Sequence, residues 1–164
     1  MLLYREKYQV LNIEKREVVK NPYPPFTTST MTQAGARIFG WSSKKTMSIA
    51  QKLYEEGLIT YHRTDSFNLA TTAVSAARSF IQKEFGDKYL PGSPRFYKTQ
   101  SKVAQEAHEA IRPTNVANQN IELDEQDFVR LYELIWKRFV ACQMNASVYD
   151  ETVIDVSAGN YLLR

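Results

Sequence analysis

Apolar residues recur three and four positions apart along much of the chain, which is the spacing of one face of an α-helix. The first predicted helix has Thr30 as its N-cap, Gln33 completing a capping box, and Gly40 at its end. Its predicted apolar side consists of Ala34, Ile38 and Phe39.

A second predicted helix follows almost at once, capped by Ser42 or Ser43 and ending at Gly57. Two helices joined by so tight a turn are typical of a helix-turn-helix unit. The chain that leaves the second helix, Leu58–Arg63, is predicted to be extended. The apolar positions of the second helix are Met47, Ala50, Leu53 and Tyr54.

The same spacing predicts a third helix from Asn68 to Phe85, a shorter one over Ser101–Ala110, and a last long helix capped by Asp124. The apolar faces of the two longer ones are Val74, Ala77, Ile81 and Phe85, and then Phe128, Leu131, Ile135, Phe139 and Cys142.

Alternating apolar positions predict β strands at both ends of the chain, over Tyr4–Lys20 and Glu151–Ser157. The residues Ala158-Gly159-Asn160 are typical of a hairpin turn, and a return strand begins at Tyr161. Because a natural domain seldom stops so early in such a strand, we expect the chain to be an excised piece of a longer protein. A short final strand in an intact protein is the alternative.

Prolines at positions 22, 24 and 25 hold the chain extended and exclude helix before residue 26. The predicted fold class is therefore mainly α with flanking β segments. A helical module over 25–144 would be inserted between a β segment at 1–24 and a returning β segment at 145–164.

The composition of the 164-residue chain, 43% hydrophobic and 24% charged, is that of a globular protein. A net charge of +3 permits a nucleic-acid partner without requiring one. The single cysteine, Cys142, excludes an internal disulfide and a cysteine zinc site. Since there is neither an apolar run of membrane-spanning length nor a signal-peptide pattern, we expect a soluble, cytoplasmic protein with no membrane partner.

The most informative residues for function directly follow Thr60. If the chain is extended there, Tyr61, Arg63 and Asp65 share one face, with His62 opposite. A phenol has a pKa of about 10, so its anion costs roughly 4 kcal/mol at neutral pH, and a nucleophilic tyrosine needs a cation or a base beside it. Arg63 offers a fork that fits phosphate oxygens, and Asp65 could anchor that fork or act as the base. The pattern indicates chemistry on a phosphodiester, although a surface turn with an Arg–Asp pair fits it as well.

Two further groups are candidates. The segment QEAHEAIRPT contains Arg112 and His108, and a histidine can donate hydrogen bonds or pass a proton to a leaving oxygen. A solvated helix end is the plainer interpretation, and no sequence rule forces this segment against Tyr61. Lys44 and Lys45 open the second helix beside hydroxyl groups, which fits either contact with a backbone phosphate or a solubilising surface. No glycine-rich nucleotide loop supports the use of ATP.

The chain resembles the central part of bacterial type IA DNA topoisomerases over nearly its whole length. Residues 24–66, PPFTTSTMTQAGARIFGWSSKKTMSIAQKLYEEGLITYHRTDS, are similar to the family's nucleophile region. QEAHEAIRPT resembles its histidine segment, and LYELIWKRFVACQM, residues 131–144, resembles the helix that leads back into an arch of β strands. His62 stands where many bacterial members carry Met.

The resemblance implies that Tyr61 attacks a phosphodiester of single-stranded DNA and forms a 5′-phosphotyrosine intermediate, so that negative supercoils relax without ATP. Arg63 would contact the scissile phosphate, and His108 would assist positioning and cleavage. The bacterial cytoplasm, in association with the nucleoid, is the implied location. The expected DNA contacts are Arg63, Lys44, Lys45, Asp65 and Arg112.

The family fold implies a helical domain similar to the CAP DNA-binding domain, set at the end of a β-rich arch. The Mg²⁺ of the family would be bound by a Toprim domain outside this chain. We therefore expect the chain alone to bind no metal and to be inactive, with the Toprim and arch parts of the enzyme as its partners. One alternative is a helix-turn-helix or winged-helix DNA-binding module in which Tyr61 only packs. Another is an interaction domain with no nucleic-acid role.

Overall fold

The computed structural model describes residues 6–97, 109–123 and 125–164 and divides into two compact units. One unit joins the two ends of the chain, up to Asn21 and from Ala146 onward, and the other is Pro22–Asn145. The predicted class, helices flanked by β segments, is confirmed at that level of detail. The elements are β1 (Tyr8–Lys20), α1 (Thr28–Phe39), α2 (Ser43–Glu55), α3 (Thr71–Phe85), a 3-10 turn (Asp87–Tyr89), α4 (Gln126–Ala141), β2 (Ser147–Ala158) and β3 (Tyr161–Leu163).

Helix α1 starts earlier than the sequence pattern predicts. Its N-cap is Thr27, whose hydroxyl accepts a hydrogen bond from the Thr30 amide at 3.3 Å, while the Thr30 hydroxyl accepts one from the Thr27 amide at 2.9 Å. The prediction of Thr30 as N-cap with Gln33 as its partner is therefore wrong. Gln33 instead donates to the Ser29 hydroxyl at 3.0 Å. In a run of consecutive hydroxyl residues, the cap adopted is the one that lies directly after the extended, proline-rich stretch.

The turn between α1 and α2 follows the prediction. Gly40 ends α1 in the left-handed conformation with φ 69°, and the Ser42 hydroxyl caps α2 by accepting a hydrogen bond from the Lys45 amide at 3.2 Å. The side chains of Ile38 and Tyr54, predicted to be apolar contacts, are 51% and 41% exposed because the buried sides of the two helices lie elsewhere. Those buried sides are Met31, Ala34 and Gly35 on α1, and Thr46, Ile49, Ala50 and Leu53 on α2.

Helix α3 begins at Thr71, later than the predicted start at Asn68. The residues before it are held by another part of the chain, because the Asn68 carbonyl accepts a hydrogen bond from the Ala110 amide at 2.8 Å. Phe85, the last residue of the predicted apolar face, is 40% exposed. The other three members of that face, Val74, Ala77 and Ile81, are buried.

Helix α4 lies at the centre of the core. The hydroxyl of Tyr132 and the ring N–H of Trp136 donate to the carbonyls of Asn118 and Val116 at 2.6 and 2.8 Å, so their polar ends are paired. The predicted cap Asp124 and residues 101–108 of the predicted short helix lie outside the described residues. The predicted apolar face is confirmed, since Phe128, Leu131, Ile135, Phe139 and Cys142 are all buried.

The unit formed by the chain ends is an antiparallel sheet with strand order β1-β2-β3. Its register pairs Tyr8 with Ala158, and Gly159 turns the chain into β3 with φ 58°, at the predicted hairpin turn. Both carboxylate oxygens of Asp155 accept hydrogen bonds from Arg164, at 2.7 and 3.0 Å, which fixes the end of the hairpin. Across the described residues of both units, no helix is long and apolar enough to span a membrane.

We expect Gly35→Ala to destabilise the chain, although alanine is the better helix former by about 1 kcal/mol. The added Cβ would lie 2.7 Å from the hydroxyl oxygen of Thr46 and 3.2 Å from its methyl carbon. Thr46 is fully buried and β-branched, so it cannot turn away freely. Urea denaturation should show a net loss of about 1–3 kcal/mol in the free energy of unfolding.

The matched control is the same substitution in a Thr46→Ala background, where both clashing atoms are gone and the remaining Cβ contact is an ordinary 3.5 Å. There, Gly35→Ala should be neutral or stabilising. An equal loss of stability in both backgrounds would mean that the contact between the added Cβ and the Thr46 side chain is not the cause.

Candidate active site

The segment that follows Thr60 forms no regular strand and bends at His62, yet its side chains alternate between solvent and interior. This confirms the predicted division of the segment into two faces. The side-chain charges of Arg63 and Asp65 lie on the solvent side, where they remain hydrated, and an imidazole and two hydroxyl groups occupy the interior side. The exposed residues are Tyr61, Arg63 and Asp65, and the buried residues are His62, Thr64 and Ser66.

Antiparallel pairing brings the residues just before Tyr61 against a second predicted group. The Thr60 amide donates to the Arg112 carbonyl at 2.9 Å, and the Thr114 amide donates to the Leu58 carbonyl at 3.0 Å. Thr60 also accepts a hydrogen bond from the Arg112 amide on its hydroxyl oxygen at 3.0 Å. The fold therefore joins two sequence groups that no local rule connects.

The guanidinium of Arg112 is fully engaged near this pairing. It donates to both carboxylate oxygens of Glu109, at 2.7 and 2.9 Å, and to the Pro113 carbonyl at 3.0 Å. Glu109 in turn accepts a hydrogen bond from the Ala70 amide at 2.8 Å. These bonds stabilise the loop, and a DNA contact by Arg112 stays a prediction. His108 lies outside the described residues, so its approach to the tyrosine also stays a prediction.

Thr28, in the first turn of α1, holds the other side of the segment. Its hydroxyl donates to the His62 carbonyl at 2.7 Å and accepts from the Thr64 amide at 2.9 Å. Its own amide donates to the Thr64 carbonyl at 2.9 Å. The three bonds fix the backbone on both sides of Arg63.

The phenol ring of Tyr61 is partly supported and partly open. Its side chain is 45% exposed. The ring makes an edge contact with Tyr54 of α2, at 5.3 Å between centroids, and another with His62 at 5.5 Å. In the part of the chain that the structure describes, the Tyr61 hydroxyl makes no hydrogen bond. The ring is therefore held at its edges while the residue stays open to solvent.

Arg63 and Asp65 face an open depression at the start of α1. Within the described ranges, the two side chains form no ion pair with each other, so Asp65 does not anchor the guanidinium here. Arg63, which has no ion pair with any described residue, therefore offers a cation to this depression beside several hydroxyl groups. The depression is lined by Thr27, Thr28, Ser29, Thr30, Met47, Arg63, Thr64, Asp65 and Phe67.

The two lysines at the start of α2 differ in their surroundings. Lys45 forms an ion pair with Asp127 at 2.7 Å and lies 5.0 Å from the Trp41 ring centroid. The hydrogen bond from Lys45 holds the pKa of the Asp127 carboxyl below its usual range. Lys44 is exposed and has no ion pair with any described residue. Of the two predicted DNA contacts, Lys44 is the one that is free to meet a phosphate.

His62 is fully buried, as its predicted face requires, but its ring touches the ring of Tyr61. Both of its ring nitrogens lack a hydrogen-bond partner among the described residues. Burial, with a smaller contribution from the charge of Arg63, lowers the pKa of the imidazole, so the neutral form is favoured. The prediction that His62 lies on the face opposite Tyr61 is correct, yet the two rings are in contact, so this position bears on how the tyrosine packs.

Three residues that hold the tyrosine segment are not recognisable as site residues from the sequence alone. They are Tyr54, which is predicted only as an apolar position of the second helix, and Thr28 and Thr60. Thr60 lies in the predicted extended stretch, where a hydroxyl facing inward is a signal for backbone pairing. Thr28 sits in a run of hydroxyl residues that could be recognised only as helix caps, because its partners are more than 30 positions away.

The comparisons with known proteins identify the family of the chain. A family model described as DNA topoisomerase matches residues 2–163. DNA topoisomerase 1 of Rickettsia bellii is 49% identical over 99% of this chain, and DNA topoisomerase 1 of Escherichia coli is 47% identical over 99%. Full-length topoisomerase I from Thermotoga maritima superposes with a TM-score of 0.72 at 36% identity over 97% of the chain.

The matches cover only a part of each relative. The chain spans 22% of the Rickettsia bellii protein, 19% of the Escherichia coli protein and 27% of the Thermotoga maritima chain. Because the family model covers nearly the whole chain, the chain belongs to the bacterial type IA DNA topoisomerase family.

The chain should lose stability as the pH falls below about 6.5, because the unfolded His62 binds a proton at that pH while the buried imidazole, with its lowered pKa, resists it. Above that pH both states are neutral at this position, so no penalty exists. The ring is packed against Tyr61 and Tyr54 and faces the charges of Arg63 and Glu55. Urea midpoints measured between about pH 5 and 8 test this window.

The control is His62→Met, which removes the titrating group and fills its space with a flexible apolar side chain. Its unfolding free energy should depend less steeply on pH below 6.5 than that of the original chain. Parallel pH curves for the two proteins would contradict the role of His62.

Proposed function

We propose that the chain carries the nucleophile of a type IA DNA topoisomerase, with Tyr61 cleaving one strand of DNA and rejoining it. The observation that carries the proposal is the accessible phenol on the same exposed face as Arg63, in a segment whose backbone is hydrogen-bonded on both sides. Family membership supports the same conclusion independently.

The reaction is a transesterification at phosphorus. The phenol oxygen of Tyr61 loses its proton and forms a bond to phosphorus, while the bond from phosphorus to the 3′ oxygen breaks and that oxygen takes up a proton. The product is a 5′-phosphotyrosine and a free 3′ hydroxyl. Rejoining is the reverse attack, so no external energy source is consumed and ATP is not needed. Passage of a second strand through the gap would relax negative supercoils.

Arg63 is proposed to bind a non-bridging oxygen of the scissile phosphate. Its guanidinium is exposed and, among the described residues, unpaired, so it can offer two parallel N–H groups to the phosphate without first breaking an ion pair. Asp65 and His108 are proposed to support this site. Arg112 and Thr114 are hydrogen-bonded to Thr60 and Leu58, which supports a role for this part of the chain at the site.

DNA binding by the helical unit is proposed to extend to Lys44, and more weakly to Lys45 and Arg112, which already have acidic partners. The substrate would be single-stranded or negatively supercoiled DNA. The helical unit is proposed to resemble the CAP domain, and the strands at both ends to be parts of a β-rich arch in a larger enzyme.

Within the described ranges, no group of three or more His, Cys, Asp or Glu side chains could hold a metal ion such as the Mg²⁺ of the family. We propose that another part of the enzyme binds it, and no step above depends on it. The cytoplasm, near the nucleoid, is the proposed location.

In the full-length enzyme, Tyr61→Phe should abolish the covalent DNA complex and plasmid relaxation. The change removes one exposed oxygen and keeps the ring contacts with Tyr54 and His62, so the thermal midpoint should stay nearly unchanged. Covalent complexes with a labelled single-stranded oligonucleotide, resolved on a denaturing gel, give the measurement.

The control for Tyr61→Phe is Tyr149→Phe, which removes a phenol oxygen from an exposed tyrosine of β2 and should leave cleavage intact. Continued cleavage by Tyr61→Phe would mean that the nucleophile lies elsewhere in the enzyme. This chain would then be a DNA-binding module in which Tyr61 only packs. A preference for duplex over single-stranded DNA would point to the same alternative.

Arg63→Lys should slow cleavage in the full-length enzyme by roughly ten- to hundredfold, because an ammonium cannot reproduce the planar, two-pronged contact with a phosphate. Stability should change little, since the guanidinium has no ion pair among the described residues. Single-turnover cleavage rates at saturating oligonucleotide separate this effect from binding. Unchanged rates would assign Arg63 to the surface rather than to the reaction.

A further inference from the structure

The bonds made by Thr28 enclose a single residue of the proposed site. The Thr28 hydroxyl donates a hydrogen bond to the His62 carbonyl at 2.7 Å and accepts one from the Thr64 amide at 2.9 Å. The Thr28 amide donates a third hydrogen bond, to the Thr64 carbonyl at 2.9 Å. Arg63 is the residue between these anchors. Among the described residues, nothing holds its guanidinium directly, so the direction of its side chain depends on the backbone at its base.

Thr28 is itself held firmly. It is the first residue of α1 and follows the capping box that Thr27 and Thr30 form. The segment is also hydrogen-bonded after Thr64, because the Thr64 hydroxyl accepts a hydrogen bond from the Ser66 amide at 3.0 Å. Thr28 therefore links the capped end of α1 to the irregular segment that bears the proposed nucleophile.

The chemistry of the contact requires a hydroxyl group. A hydroxyl can donate one hydrogen bond and accept another at the same time, and both are used here. Valine has the shape of threonine but can do neither. Serine keeps both bonds, whereas a cysteine thiol replaces them with weak ones.

We propose that Thr28 is a positioning residue for DNA cleavage, whose hydroxyl sets the backbone of residues 62–64 and so directs Arg63 and Tyr61 toward the scissile phosphate. This inference rests on the function proposed above and adds a residue to it. Thr28 touches neither the reacting phenol nor, in this assignment, the phosphate. Its hydroxyl acts through the two backbone groups that it joins, the His62 carbonyl and the Thr64 amide.

The experiment compares Thr28→Val, Thr28→Ser and Thr32→Val in the full-length enzyme. Thr32 is the matched control because its hydroxyl lies one turn further along α1 and donates only within the helix, to the carbonyls of Thr28 and Ser29 at 3.1 and 3.0 Å. Each variant is measured for its thermal midpoint, its affinity for a single-stranded oligonucleotide, and its single-turnover rate of covalent-complex formation.

Thr28→Val should slow covalent-complex formation by roughly ten- to hundredfold, with affinity for the oligonucleotide changed less than about threefold, since misplacing a reacting group costs rate more than binding. Thr28→Ser should restore the rate to within about threefold of the original enzyme, and Thr32→Val should stay close to it. If Thr28 only stabilised the fold, the loss of cleavage rate in each of the three variants would instead be proportional to the drop in its thermal midpoint.

If Thr28→Val does not fold, the comparison of Thr28→Ser with Thr28→Cys replaces it, because these two differ only in oxygen against sulfur. The cysteine variant should then be at least about tenfold slower. Original rates in Thr28→Val or Thr28→Cys, beside an active parent enzyme, overturn this inference and leave the proposed function standing. A parent enzyme that forms no covalent complex overturns the proposed function, and this inference with it.

Discussion

The segment of residues 58–66 belongs to no helix and to no regular sheet, and the site depends on how its backbone is paired. Backbone N–H and C=O groups that are withdrawn from water need hydrogen-bond partners, so this segment must take them from distant parts of the chain. Residues 110–114 supply partners on one side, and Thr28 supplies them on the other. The exposed side chains of Tyr61 and Arg63 are placed by these bonds rather than by bonds of their own.

The same requirement explains which side chains face inward. A hydroxyl group can complete the pairing of an irregular backbone, and Thr60, Thr64 and Ser66 all do so on the inner side of the segment. Burying the charges of Arg63 or Asp65 there would cost several kcal/mol without a partner. Desolvation therefore favours an outer face that keeps a hydrated cation and carboxylate beside an accessible phenol, which is also the arrangement that phosphate chemistry needs.

Local patterns predicted the parts of the structure whose causes are local. The two-residue alternation gave the correct faces for Arg63 and its neighbours, and the left-handed Gly40 ended α1 where expected. The run of threonines offered several equivalent caps, so the choice between Thr27 and Thr30 depended on the chain that precedes them. The bonds that join the tyrosine segment to Thr28 and to the Arg112 loop connect residues 34 to 56 positions apart, and no periodicity or capping rule reaches that far. Thr28 could not be recognised for this reason.

The pairing also bears on how independent the site is. Each hydrogen bond named for the tyrosine segment joins residues within Pro22–Asn145, the unit that also contains α1, the Arg112 loop and the Tyr54 ring. The orientation of Tyr61 relative to Arg63 is thus a property of that unit. Its buried core, centred on α4, stabilises the site by keeping the partners of the tyrosine segment at fixed distances, since packed interiors resist displacement. The proposed nucleophile and the cation beside it are thus positioned by hydrogen bonds and packing that lie within Pro22–Asn145.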